Sequence, residues 1–198
     1  MALAASHKVL AEKLLPAEGS ALRLKQVALV AGGVAAMIVA AKIRVPMWPV
    51  NATMQTFVVL TIGAAYGMRL GLLSMLGYLA LGALGFGVFT GQGAGLGYML
   101  GATGGYLVGF AAAAGVMGVL ARRGWDRSFG TMALSMAIGL ALIYGFGLAW
   151  MAVLFADKGA AWVLQYGLVN FLPFEVAKVA LAALLFPAAW RLVGRARG

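Results

Sequence analysis

The sequence predicts an all-α integral membrane protein, a bundle of six transmembrane helices with both termini cytoplasmic. Three observations carry this reading. Of the 198 residues, 64% are hydrophobic and the mean hydropathy is +0.98, whereas soluble domains are usually about half apolar or less. The apolar residues gather into runs of the length a bilayer requires. Lysines and arginines collect at the ends of those runs, so the net charge of +10 reflects membrane topology rather than nucleic-acid binding.

Residues 1–20 form an N-terminal cytoplasmic segment, and residues 21–198 a single six-helix membrane domain. In the first segment His7, Lys8, Glu12, Lys13 and Glu18 interrupt Leu and Ala. Those charges exclude a secretory signal and fit a short amphipathic surface helix. The first span, about 24–41, carries small residues at every fourth position: Ala28, Gly32, Ala36 and Ala40. Such a stripe admits another helix at close range, either within this chain or from a partner. Pro46 and Pro49 then preclude a regular helix, so an ordered loop leads into the second span at about 53–67. Asn51, Thr53 and Gln55 bring hydrogen-bonding groups to the membrane edge. Tyr66 to Gly71 is a tight turn before a third span, which ends near Phe86.

Residues 85–105 are rich in glycine but hold no Gly-Lys-Ser/Thr and no strand–helix frame, so they bind no nucleotide. The fourth span opens with Gly101, Gly105 and Gly109 on one face, set for close packing. The fifth runs from about 131 to 155, and a loop containing Asp157, Lys158 and Trp162 precedes the sixth. With both termini inside, eleven lysines and arginines fall on the cytoplasmic side and three, Lys42, Arg44 and Lys158, outside. Trp48, Trp150 and Trp162 mark the outer interface, Trp125 and Trp190 the inner one.

The sixth span, from Pro173 to about Trp190, is apolar except for Glu175 and Lys178. Three residues apart, the two lie on one face and can pair. Phe171 and Ala182 continue that face. One reading is a structural ion pair, with Lys178 reaching toward headgroups and Glu175 favoured by the helix N-terminus. The other is a ligand site, in which Lys178 receives an anionic group and Glu175 accepts N–H donors. Intramembrane charges favour the second. The chain has no cysteine and one histidine, His7, so no thiolate or histidine metal site is expected. No nucleophile–base pair is visible either, so catalysis and a cofactor are not expected.

Several stretches resemble the BioY family, the biotin-specific substrate-binding (S) components of energy-coupling factor (ECF) transporters. They are Val45-Pro-Met-Trp-Pro-Val50, Gln55-Thr-Phe57, Gly63 to Gly71, Thr103 to Phe110, Ile143-Tyr144 with Gly147 and Trp150, and Pro173 to Lys178. The resemblance covers roughly residues 42–190. Where the family usually has Gly-Asp before the lysine, this chain has Phe174-Glu175.

The resemblance implies biotin capture at the outer face of a multi-pass protein in the cytoplasmic (inner) membrane. The partners it implies are a transmembrane energy-coupling protein and two cytoplasmic ATPases. It makes Asn51, Gln55, Thr103, Tyr106, Tyr144, Glu175 and Lys178 the substrate-binding set. The biotin carboxylate would meet Lys178, and its ureido N–H groups Glu175 and Gln55. Ala28, Gly32, Ala36 and Ala40 become the docking face. An S component for another small vitamin or acid, or a structural membrane protein in which Glu175–Lys178 is only a tie, are the competing expectations.

Overall fold

The computed structural model describes residues 8–14 and 18–195. Their regular structure is helical apart from one small β-hairpin. Helix α1 (Leu10–Leu14) precedes α2 (Gly19–Lys42). Strands β1 (Arg44–Val45) and β2 (Ala52–Thr53) then pair antiparallel, with Arg44 opposite Thr53. After them come α3 (Gln55–Ala83), the short α4 (Gly95–Met99), α5 (Gly104–Arg122) and α6 (Phe129–Leu154). Helices α7 (Ala160–Gly167) and α8 (Leu172–Arg195) complete the order.

Among the described residues, five segments are long and apolar enough to cross a membrane: Gly19–Lys42, Gln55–Ala83, Gly104–Arg122, Phe129–Leu154 and Ala160–Val193. The sequence reading divides the second of these into two spans, and its backbone is indeed broken. Gly67 sits at φ 81° and ψ 171°, a conformation open to glycine and strained for other residues. Beyond it the chain folds back. A Cβ on Gly71 would lie 3.2 Å from the Cα of Gly63, and the Gln55 amide donates to the Tyr78 hydroxyl at 2.8 Å. A straight helix would hold Gln55 and Tyr78 about 34 Å apart. Helix α3 is therefore a helical hairpin.

Helix α5 is the centre of the bundle. Some 72% of its most apolar window is buried, against 22% for α2. Its glycines make that possible. A Cβ on Gly109 would come within 2.7 Å of the Ile143 Cα, and one on Gly105 would overlap the Phe146 carbonyl. On the other side, a Cβ on Gly118 would overlap the Met68 backbone. Gly105 and Gly109 thus bring α5 and α6 together at backbone range, whereas Gly101, expected on the same face, lies before α5 and meets only the Tyr98 and Gly97 backbone.

One expectation needs correcting. The stretch before the sixth span is not all loop: Gly159 turns at φ 78° and residues 160–167 wind into α7, a short run of Ala, Leu and Gln being a good helix former. The Pro46–Pro49 loop is bracketed by the β-hairpin, which ties its two ends together. Much of the expected N-terminal amphipathic segment lies outside the described residues. Its described part is docked on the bundle, with Val9 and Ala11 buried and Glu12 paired with Arg122.

Packing this tight makes a prediction. A Cβ on Gly63 would lie 2.5 Å from the Ala114 carbonyl oxygen and 2.9 Å from the Met117 Cβ. Gly63→Val is expected to lower the unfolding free energy by about 1–3 kcal/mol or more, the usual cost of overpacking. Gly145→Ala, which meets nothing within 4 Å, should leave the thermal midpoint in detergent unchanged or raise it. Equal midpoints for wild type and Gly63→Val would refute the close approach of α3 and α5.

Candidate functional site

Phe171, Glu175, Lys178 and Ala182 are all buried, at 4%, 4%, 7% and 0% exposure, so the helical face read from the sequence points into the bundle. Pro173 stands in the first turn of α8, where its missing N–H leaves nothing unpaired. The Lys178 Nζ donates to Glu175 Oε1 at 2.8 Å, to Thr56 Oγ1 at 2.8 Å and to the Thr53 carbonyl at 2.7 Å. An ammonium has three protons, and all three are used. Glu175 accepts from the Thr56 hydroxyl, 3.0 Å from either oxygen, and from the Tyr144 hydroxyl at 3.1 Å. The pair is therefore fully compensated, the condition under which a buried ion pair is tolerated.

A cavity opens beside this network. Its walls include Glu175, Thr56, Tyr144, Gln55, Tyr78 and Tyr106, closed by Phe89, Thr90, Tyr98 and Thr103. It leaves about 50 Å³ of free volume, room for roughly four waters and below the roughly 300–1,000 Å³ of ordinary small-molecule sites. Phe89 closes it, stacked on Tyr98 with ring centres 4.8 Å apart and set edge-on to Tyr78 at 5.4 Å. Lys42 holds that lid by donating to the carbonyls of Gly87, Phe89 and Gly91 at 2.6, 2.8 and 2.7 Å. The glycine-rich segment is thus a cover for the cavity.

The expected site residues divide by what they touch. Gln55, Tyr144, Glu175, Thr103 and Asn51 all line the cavity. Asn51 also accepts from the Met47 N–H, so it holds the proline loop. Tyr106 offers its ring, while its hydroxyl donates to the Gly167 carbonyl at 2.7 Å. Lys178 does not line the cavity. It lies behind Glu175, with its ammonium on Glu175, Thr56 and the Thr53 carbonyl. Phe174 is 37% exposed and outside the cavity wall, so its bulk spares the site. Ala28 and Gly32 are exposed, Ala36 is half-buried against the core, and Ala40 is buried.

Sequence reasoning missed Thr56, Tyr78, Phe89, Thr90 and Tyr98. Thr56 carried no local signal, because its partners Glu175 and Lys178 lie about 120 residues away. The lid residues had none, because their place depends on how the glycine segment folds.

The BioY family model matches residues 12–195. The chain belongs to the BioY family. Among curated BioY proteins, it is 38% identical over 164 residues to the "Probable biotin transporter BioY" of Pyrococcus horikoshii, covering 83% of this chain and 95% of that one. The "Biotin transporter BioY" of Thermotoga maritima is 35% identical over 151 residues, 76% of this chain and 87% of its own. In fold, the chain resembles the crystal structure of an S-component for biotin from an ECF-type ABC transporter. The TM-score is 0.73 at 23% identity, over 92% of this chain and 96% of that one. As a BioY protein with several bilayer-length apolar helices, it is a multi-pass membrane protein.

Thr56 makes the network testable. Thr56→Val keeps the shape but leaves Lys178 and Glu175 each one partner short. The expected loss is about 1–3 kcal/mol, the cost of unsatisfied buried groups, read as a lower thermal midpoint. Thr56→Ser should restore most of it. A Val variant as stable as wild type would show that the hydroxyl carries no part of the tie.

Proposed function

We propose that this chain captures biotin at the outer face of the cytoplasmic membrane, as the S component of an ECF-type ABC transporter. Family membership carries the reading, because relatives named as biotin transporters match over most of both chains. The site fits it chemically. Glu175 is an acceptor lining the cavity and suits the ureido N–H groups of biotin. Gln55 adds a second polar contact, and Tyr106, Tyr144, Phe110 and Phe171 supply an aromatic wall for the ring and chain. Entry needs Phe89 and its segment to move, since the free volume is far too small for the vitamin.

Six crossings with both termini cytoplasmic fit the hairpin of α3 counted as two spans. Both described ends of the chain lie with Arg122 and Asp126: α1 through Glu12, and α8 through Trp190, which donates to Asp126 at 2.7 Å. Trp48 and Trp162 lie together, 5.6 Å between ring centres, with the hairpin and lid placed on the outer side. Uphill uptake needs energy, and the chain carries no nucleotide motif. A transmembrane coupling protein with two ATPases supplies it in this reading, and docks on Ala28 and Gly32.

Two measurements test this. Glu175→Gln removes the charged acceptor, and biotin affinity by titration calorimetry should fall about ten- to a hundredfold, the worth of a charged hydrogen bond. Unchanged affinity in folded protein would remove Glu175 from the site. Gly32→Leu should abolish co-purification with the coupling protein while sparing biotin binding, because only the Tyr66 hydroxyl, 4.0 Å away, lies near a Cβ there. Normal assembly would place the docking face elsewhere.

A further inference from the structure

A groove separate from the cavity beside Glu175 runs between α2 and the second arm of α3. Helix α2 gives it Arg23, Gln26, Val27 and Ala31, and α3 gives Arg69 and Leu73. It holds about 520 Å³ of free volume, within the roughly 300–1,000 Å³ of ordinary ligand sites. Val27 and Leu73 are 66% and 44% exposed, so its apolar walls open away from the bundle. Gly33 packed against Ser74, and Gly77 against Val34, pin the two helices together farther along. An outward-facing apolar channel between spanning helices is lined for hydrocarbon.

One end of the channel is charged. Arg69 stands two residues past Gly67, where a Cβ would lie 3.5 Å from the Arg122 guanidinium, so this is the end assigned to the cytoplasm. Arg23 lies in the second turn of α2. Two other arginines here are engaged, Arg122 with Glu12 and Arg127 with the Trp190 ring and the Lys8 carbonyl. Arg23 and Arg69 are exposed and make no hydrogen bond or ion pair among the described residues. No carboxylate lines the groove, because Glu12 and Glu18 belong to a neighbouring recess that also takes Lys8 and Lys25. Positive residues at the inner end satisfy membrane topology wherever they point. The convergence of two unneutralised guanidinium groups on one apolar channel asks for more: an anionic headgroup carrying an acyl chain.

We propose that this groove is a binding site for an anionic phospholipid of the inner leaflet. Its phosphate sits between Arg23 and Arg69, the Gln26 amide donates to headgroup or ester oxygens, and one acyl chain lies along Val27, Ala31 and Leu73. At about 100° per residue, the groove side of α2 points roughly 150° away from Ala28 and Gly32. The lipid and the proposed coupling protein therefore use different faces of the same helix. Since α2 is the least buried spanning helix, at 22% of its most apolar window, the lipid adds contacts where the protein supplies fewest.

The test is native mass spectrometry of the purified full chain with phosphatidylglycerol or phosphatidylcholine of identical chains. Wild type should retain phosphatidylglycerol roughly twentyfold more. Arg23→Gln and Arg69→Gln should each cut that preference about fivefold, the worth of one basic residue beside an anionic lipid, and change phosphatidylcholine by less than about twofold. Arg191→Gln removes an exposed arginine outside the groove and should leave the preference intact. Ala31→Phe, which fills the channel, should reduce retention of both lipids. Equal retention of the two lipids by wild type overturns the site. A preference lost as fully in Arg191→Gln as in the groove variants overturns it as well, by making the effect one of net charge. Retention untouched by Ala31→Phe places the acyl chain elsewhere and does the same. Glycerol phosphate that competes as well as the lipid would make the arginines a site for a soluble phosphate and overturn the lipid assignment.

Discussion

A lysine and a glutamate held 2.8 Å apart out of water impose most of the order in the half of this bundle that holds the cavity. Neither charge survives burial unless its remaining valences are met. Meeting them takes the start of α3: the Thr53 carbonyl for Lys178, and the Thr56 hydroxyl, which accepts from Lys178 and donates to Glu175. It also takes Tyr144 from α6. Three helices distant in sequence are thereby fixed against one another by five or six short contacts. Apolar packing alone would hold them together but would not set their register.

The network does not stop at the pair. Thr53 donates through its hydroxyl to Gln55, Gln55 to Tyr78, and Tyr78 to the Val88 carbonyl at the edge of the lid. A continuous polar path thus runs from α8 to the glycine segment, and its members line the cavity on the way. A ligand that draws on Glu175 or Gln55 touches the same chain of bonds that seats the lid. The lid's other anchor, the Lys42 ammonium, bonds only to carbonyls. These charge-assisted bonds lie largely at the exposed edge, where water competes for them, so the lid is the part of the site built to yield.

How much of this the sequence disclosed depends on whether a feature was local. The pairing of Glu175 with Lys178 and the burial of their face follow from helical spacing within seven residues. The reversal at Gly67 follows from a turn motif, and the close packing of Gly105 and Gly109 from their period. Features made by tertiary contact were hidden. Nothing local to Lys178 shows that Thr53 and Thr56, more than 120 residues earlier, accept two of its hydrogen bonds. Thr90 and Tyr98 sit in a glycine-rich stretch whose path no periodicity encodes. α7 was missed because eight helical residues give too short a pattern to stand out from a loop.

The small-residue stripe on α2 shows the same limit geometrically. Residues four apart advance about 400° on a helix, so a four-residue stripe drifts about 40° per step and about 120° from Ala28 to Ala40. It must therefore wind around the helix rather than run along it. Its upper end, Ala40, turns into the bundle, while Ala28 and Gly32 stay outside. A partner helix crossing α2 can meet only the lower half of the stripe, near Arg23 and Lys25. That half lies toward the end of the bundle carrying Arg122 and Asp126, the end assigned to the cytoplasm. α2 is also the least buried of the spanning helices, so it has the most surface left to give. Close packing at Gly33, where a Cβ would lie 2.5 Å from the Ser74 hydroxyl oxygen, holds one side of α2 to α3. The exposed small residues on its other side leave surface that a second helix could approach closely.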